Sequence, residues 1–230
     1  MSSLKGRAGL WTNSAVKARG HLHDIQALGF DYLTARCIYK TGTSFAVNPP
    51  ALQLFADGST INLEMVAWAN VYPTGIQGQI DAIRGFFGQV GKCAELILDA
   101  EDEWLNQPDS AAHDLFHGIA EAIDHRANLH LSSFCNPVEH PIPYKAFLSH
   151  CPSFMPQVDV FAPTTPETIL GRTLGQAQPP VAGRLEHEFL PTVNDSRLLP
   201  LVKVGPFAGA NVWLWDGDQL DKGVLGNEDD

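Results

Sequence analysis

The chain has 230 residues and a formal net charge of −11, with 44% hydrophobic and 18% charged residues. That is enough apolar material for one sizeable core, and the acidic balance excludes a general phosphate-binding surface, because nucleic-acid affinity rests on Lys and Arg neutralising phosphates. No apolar run nears the ~18 residues of a membrane span and no signal-type segment opens the chain, so we expect no nucleic-acid partner, no membrane insertion, and a location that is cytoplasmic or reached by release without a signal peptide.

Strand-like and helix-like patterns alternate along the sequence. Gly9–Asn13 reads as a first strand, followed by a helix over Ala15–Gly29 with Ala18, Leu22, Ile25 and Leu28 on one face. Asp31–Tyr39 is a second strand. A short helical piece over Ala51–Ala56 leads to a third strand, Glu64–Tyr72. Gly75–Val90 is the clearest helix, since Ile76, Ile80, Ile83, Phe87 and Val90 recur at spacings of four and three. Ala94–Glu101 is a fourth strand. A helix over Ser110–Asn128 comes next, with Ser110 as its N-cap. Leu129–Phe134 is a fifth strand, Pro143–His150 a short helix, and Ser153–Val158 a sixth strand that Pro156 disturbs. Pro166–Gln176 reads as a helix and Gln178–Gly183 as a loop. Glu188–Val193 is a seventh strand, Leu198–Val204 a less regular element, and Val212–Trp215 an eighth strand. Residues 222–230 form a tail expected to fray. Eight strands alternating with helices favour one α/β domain over 1–230, a (β/α)₈ TIM barrel with irregular strands six to eight. The rival, a doubly wound open sheet, lacks a GxGxxG after its first strand.

In such a barrel, chemistry sits where strands end. The fourth strand runs from Leu96-Ile97-Leu98 into Asp99, Glu101 and Glu103 at alternate positions. Alternate strand residues share a face, and clustered carboxylates raise one another's pKa toward the range that acid/base work near neutrality requires. We take these three as candidate catalytic groups. The competing reading caps the next helix with them or leaves them solvated, and it weighs most on Asp102 and Glu103. Other strand ends bring Asn13, Lys40, Asn70, Tyr72, Ser133, Gln157 and Asp216 to the same rim. The five tryptophans, Trp11, Trp68, Trp104, Trp213 and Trp215, lie in or just after strands. There they either fill the barrel or present aromatic faces to sugar rings. His140 lies in the loop after the fifth strand, on the functional side.

Nothing in the sequence calls for a cofactor or a metal centre. His21 and His23 fall inside the first helix. His113 and His117 have a chelating spacing, but with Asp114 where HExxH has Glu, and on a helix outside the barrel. No GxSxG elbow is present. Cys37, Cys93, Cys135 and Cys151 form no CxxC pair and read as small buried residues in a reducing compartment.

Taken together, VAWANVYPTG, LDAEDEW, LSSFCNPVEHPIPYKAF, MPQV and NVWLWD resemble a group of glycoside-hydrolase-like barrels of bacteria and their phages. The group is similar in layout to family 25 muramidases and more distantly to family 18 chitinases. The resemblance implies that Asp99-Ala100-Glu101 is a D-x-E pair, with Glu101 the general acid and Asp99 its partner; the family 18 pattern points to Glu103 as the acid instead. It further implies sugar contacts from Gln157 in MPQVD and from Trp213 or Trp215 in VWLWDGD. One departure is that the first strand, GLWTN, lacks the Asp that family 25 enzymes carry there.

The expected function is hydrolysis of a β-linked N-acetylated glycan, peptidoglycan foremost, with Asp99, Glu101 and Glu103 as the acids. Lys40, Trp68, Asn70, Tyr72, Ser133, His140, Gln157, Trp213, Trp215 and Asp216 would hold substrate. Retaining, inverting and substrate-assisted routes stay open, since alternate strand residues are spaced for any of them. The alternatives are a barrel that binds glycan without cutting it, in a phage or secretion setting, and a metal-dependent hydrolase. Linkage and oligomeric state are not set by the sequence.

Overall fold

The computed structural model describes residues 4, 7, 9–12, 14–61, 63–134, 140–151 and 153–157, with the backbone alone of 158, 188–189, 192–193 and 211–214. The first half-turn of the fold is β1 (Gly9–Thr12), α1 (Ala15–Gly20), α2 (Leu22–Ala27), β2 (Tyr32–Arg36), a hairpin of β3 (Ile38–Thr41) and β4 (Ser44–Val47), and α3 (Pro49–Gly58). The chain continues through β5 (Glu64–Val71), α4 (Ile76–Phe87), β6 (Glu95–Ala100), a 3₁₀ turn (Asp102–Trp104), α5 (Asp109–Ala122), β7 (Asn128–Phe134), α6 (Tyr144–Leu148) and β8 (Ser153–Val158). The short pieces β9 (Glu188–Phe189), β10 (Thr192–Val193) and β11 (Asn211–Leu214) complete the described sheet.

Parallel pairing runs β1–β2–β5–β6–β7–β8. β10 then pairs with β8 and β11, and β11 pairs with β1, so the curled sheet returns to its first strand. This is the barrel layout expected from the alternation of patterns, with a closing arc thinned to two residues at β10. The seventh strand is split, yet both pieces keep one register along β8, Ser153 facing Glu188 and Gln157 facing Thr192. Pro191, which has no N–H to donate, lies in the sequence between the two pieces.

The strands are apolar on both faces because helices cover one and the barrel interior the other. Leu96, Leu98 and Ala100 of β6 pack in the layer shared with the helices, while Ile97 joins Trp11, Tyr32, Val66, Trp68 and Met155 in a second, inner cluster. At the strand beginnings the interior is polar. His130 meets Ser153 Oγ and Glu95 Oε2, each at 2.5 Å, and Asn128 donates to Glu95 Oε1 at 3.2 Å.

Several local expectations need correction. The first helix divides at His21, whose backbone leaves helical geometry. The second strand stops at Arg36 and gives way to the β3–β4 hairpin, turned at Gly42 with φ +60°. Helix α5 starts at Asp109 after Pro108, so Ser110 lies inside the helix and is not its cap. Pro108 holds an extended conformation suited to an N-cap, and Asp109 sits where the helix dipole favours an acid. The expected helix over 166–176, loop over 178–183, element over 198–204 and tail over 222–230 lie outside the described residues.

Candidate active site

Asp99 is the last inward-facing residue of β6, opposite Asn70 of β5 and Ser132 of β7 in register. It is 2% exposed. Asn70 Nδ2 donates to its Oδ2 at 3.0 Å, and Gln157 Nε2, reaching across β7 from β8, donates to Oδ1 at 2.6 Å and to Ser132 Oγ at 3.2 Å. Burial, and then the charge of Glu101, push the Asp99 carboxyl well above the usual carboxylate range; Ser132, Arg36 and Gln157 pull it partly back. A buried carboxyl with donors on both oxygens and a like charge beside it forms, with Glu101, a pair inclined to keep one proton.

Glu101 lies one residue past β6, in extended backbone and half-buried. Beyond it the strand does not continue, which overturns the expectation of three acids on one strand face. The chain tightens into the 3₁₀ turn because Trp104 is drawn into the core. Its backbone N–H meets Glu101 O at 2.8 Å, its indole N–H donates to Val71 O at 2.8 Å, and its ring meets Phe147 edge-on at 4.9 Å between centroids. Glu103 is therefore exposed on the turn. It still faces Tyr72, whose hydroxyl is pushed up by burial and then by Glu103, with smaller contributions from Glu101 and Asp99 opposed by Arg36.

Tyr72 comes directly after β5 and is held by Gln79, a fully buried side chain that accepts from Tyr72 N and donates to Tyr72 O and Thr74 O, each at 2.9 Å. The β3–β4 hairpin covers this loop. Lys40 Nζ lies 3.9 Å from the centre of the Tyr72 ring, and the Phe45 ring lies 5.7 Å from it. Gly75 makes that approach possible: its φ is +66°, and a Cβ there would stand 2.8 Å from Phe45. On the other side of the mouth His140 stacks on Phe134 at 4.1 Å, and Phe134 is the register partner of Gln157.

Asn70, Tyr72, Asp99, Glu101 and Gln157 thus lie at or just after the ends of their strands, whereas Lys40 reaches Tyr72 from the β3–β4 hairpin instead of from the end of the second strand, Glu103 lies on the 3₁₀ turn, and His140 follows β7 in the sequence. Two other residues do not line the mouth. Trp68 is 1% exposed, its face covered by Arg36 at 4.6 Å and its indole N–H turned to Thr12 O, so it underlies the site. Ser133 is fully buried and donates to Ala100 O at 2.5 Å; side-chain alternation gives the inward position to Ser132 instead. The backbone of Trp213 pairs with that of Trp11, and Asn13, Trp215 and Asp216 lie outside the described residues. Arg36, Gln79 and Ser132 were not singled out from the sequence. Arg36 carried a usable signal, being a charge inside an otherwise apolar strand pattern.

Among the described residues no three His, Cys, Asp or Glu side chains are arranged to hold a metal ion, and no helix is long and apolar enough to cross a membrane. His113 and His117 lie on α5 outside the barrel, where His113 Nδ1 and His150 Nε2 are 2.9 Å apart. Cys37, Cys93 and Cys151 are buried free thiols; burial pushes Cys93 up to about 11 and the other two up as well.

No protein-family model matches the sequence, and no curated protein does. Solved structures do match. The catalytic domain of a mannanase from Streptomyces sp. SirexAA-E aligns at TM-score 0.62 and 12% identity, over 92% of this chain and 75% of that one. The spore cortex-lytic enzyme SleL of Bacillus megaterium QM B1551 aligns at 0.61 and 10%, over 82% of this chain and 50% of that one. A chitinase-like lectin from tamarind aligns at 0.58 and 14%, over 92% and 94%. Aldolases match the same fold. At these identities the likeness is one of fold: this chain has the architecture of TIM-barrel proteins, glycoside hydrolases among them.

Proposed function

We propose that this protein is a glycoside hydrolase acting on a β-linked N-acetylated glycan, with peptidoglycan the foremost substrate. The observation that carries the reading is the Asp99–Glu101 pair at the barrel mouth, one acid buried and held by neutral amides, the other half-buried beside it. Glu101, the more accessible, gives its proton to the leaving glycosidic oxygen as the bond to the anomeric carbon breaks. That proton is held on Asp99 by burial in the free site; once it has passed to Glu101, the Asp99 carboxylate stabilises charge beneath that carbon or orients a neighbouring acetamido group, and water supplies the hydroxyl that completes hydrolysis. Tyr72, Gln157 and His140 line the sugar site, and the resemblance adds Trp213, Trp215 and Asp216 as proposed sugar contacts. Glu103 stands by as the acid if substrate sits toward the 3₁₀ turn.

The second reading is a barrel that binds glycan and does not cut it. It is favoured by the acid-free first strand, Gly9–Thr12, and finds a parallel in the chitinase-like lectin. Reducing-end release from peptidoglycan fragments and chitin oligomers, alongside calorimetric binding of the same glycans, separates the two. Turnover with loss in Glu101→Gln supports the hydrolase. Binding with no new reducing ends between pH 4 and 9 supports the lectin-like barrel and overturns the hydrolase.

A further inference from the structure

Arg36 takes no direct part in the proton transfer proposed for Glu101, and its surroundings are unusual. It ends β2 beside the acids, half-buried, with its guanidinium 4.6 Å from the centre of the Trp68 ring. Nη2 donates to Asn70 Oδ1 in a short hydrogen bond. Nε is buried with no hydrogen-bond partner. A buried donor left unpaired is costly, so this arginine is placed at some expense to the fold. The bond it does make has a directional consequence. With Oδ1 of Asn70 engaged by a cation, the Asn70 amide can present only its NH₂ to Asp99, and it does so at 3.0 Å.

We propose that Arg36 is a positioning residue for the Asp99–Glu101 pair: acting through Asn70, it fixes which face of that amide meets Asp99 and so holds the carboxylate in its working orientation and charge state. The proposal rests on the glycosidase reading for its purpose, but the relay itself is independent of turnover. Other groups bear on Asp99 as well. Glu101 opposes its ionisation, Ser132 and Gln157 favour it, and Tyr72 and Glu103 border the same space with Lys40 above Tyr72. Arg36 is distinguished among them by gripping a ligand of the carboxylate from behind.

The test is a ¹³C-carboxyl titration of Asp99 by NMR, with the Asn70 side-chain amide signals tracked in parallel, in wild type, Arg36→Met, Arg36→Lys and the surface control Arg84→Met. Loss of the cation is expected to raise the Asp99 midpoint by roughly one pH unit and to shift the Asn70 amide signals. Arg36→Lys restores part of the midpoint shift, and Arg84→Met leaves both readouts at wild type. A purely structural role predicts the reverse, a lower Tm with the midpoint unmoved, and that result overturns the proposal. Should Arg36→Met fail to fold, Arg36→Lys alone reads the same link: a raised midpoint together with displaced Asn70 amide signals supports the relay, and wild-type values of both overturn it. Absence of turnover in wild type with the midpoint shift intact would refute the glycosidase and leave the relay standing. Turnover in Arg36→Met with wild-type midpoint and acid limb would refute the relay alone.

Discussion

The polar set at the barrel floor sets up a sharp stability experiment. His130 and Glu95 are both fully buried, His130 bridges Ser153 Oγ and Glu95 Oε2 at 2.5 Å each, and Asn128 holds the other Glu95 oxygen at 3.2 Å. Replacing His130 with Ala takes the imidazole from a buried carboxyl and a buried hydroxyl at once. Removing one partner of a buried ionisable pair costs about 3–5 kcal/mol. For a chain of this size each kcal/mol moves Tm by about 2–4 °C, so the melting temperature is expected to fall by roughly 6–20 °C. Urea unfolding monitored by tryptophan fluorescence gives the free energy directly. Replacing both Glu95 and His130 by Leu should recover part of the loss, because the buried carboxyl is then removed along with its partner, although the Ser153 hydroxyl still lacks the imidazole. A fall below about 1 kcal/mol in His130→Ala would refute the claim that these contacts secure the floor.

The geometry supports three other perturbations. Gly75→Ala must hold a side chain at φ +66° with its Cβ 2.8 Å from Phe45, so it is expected to cost about 1–3 kcal/mol and to loosen the hairpin that sets Lys40 over Tyr72, as read by denaturation and by proteolysis at the 41–44 turn. Trp104→Phe strands the Val71 carbonyl that the indole N–H now meets at 2.8 Å, at a cost of about 1–3 kcal/mol in the same assay. Asp99 gives a pH-dependent effect. Its folded pKa lies above the ordinary value of 3.8, so the folded state binds the proton more tightly than the unfolded chain. The stability tied to that proton is whole below pH 3.8 and is lost as pH climbs from there through the raised folded value. The stability of Asp99→Asn relative to wild type should therefore rise from pH 4 toward neutrality, measured as the urea midpoint at successive pH values, and a flat difference would contradict the burial argument.

Much of the fold was legible in the chain. The β6 run Leu96-Ile97-Leu98 announced a strand buried on both faces, and the spacing of Ile80, Ile83 and Phe87 announced α4. The Asp99–Glu101 proximity came from strand alternation. The features that escaped were governed by contacts distant in sequence. Trp104 ends the acidic strand because a pocket formed by Val71 and Phe147 receives it, and nothing local in AEDEW reports that. The β3–β4 hairpin was hidden because Asp31–Tyr39 reads as one strand, whereas Arg36 ends β2 by turning to Asn70 and Cys37 leads into β3. Ser132 and Ser133 differ only by strand phase, and the phase is set by the pairing of Ser132 with Asp99 on β6, which strand ends read along the sequence do not report.

The proposed hydrolase activity turns on Glu101 acting as the proton donor in a glycan-cleaving site. Wild type and Glu101→Gln can be compared on one soluble peptidoglycan oligomer, with turnover and affinity measured on the same preparations. Glycan binding in the variant is expected within a few-fold of wild type and turnover reduced by about 10²–10⁴. Wild-type turnover in the glutamine variant would contradict the assignment.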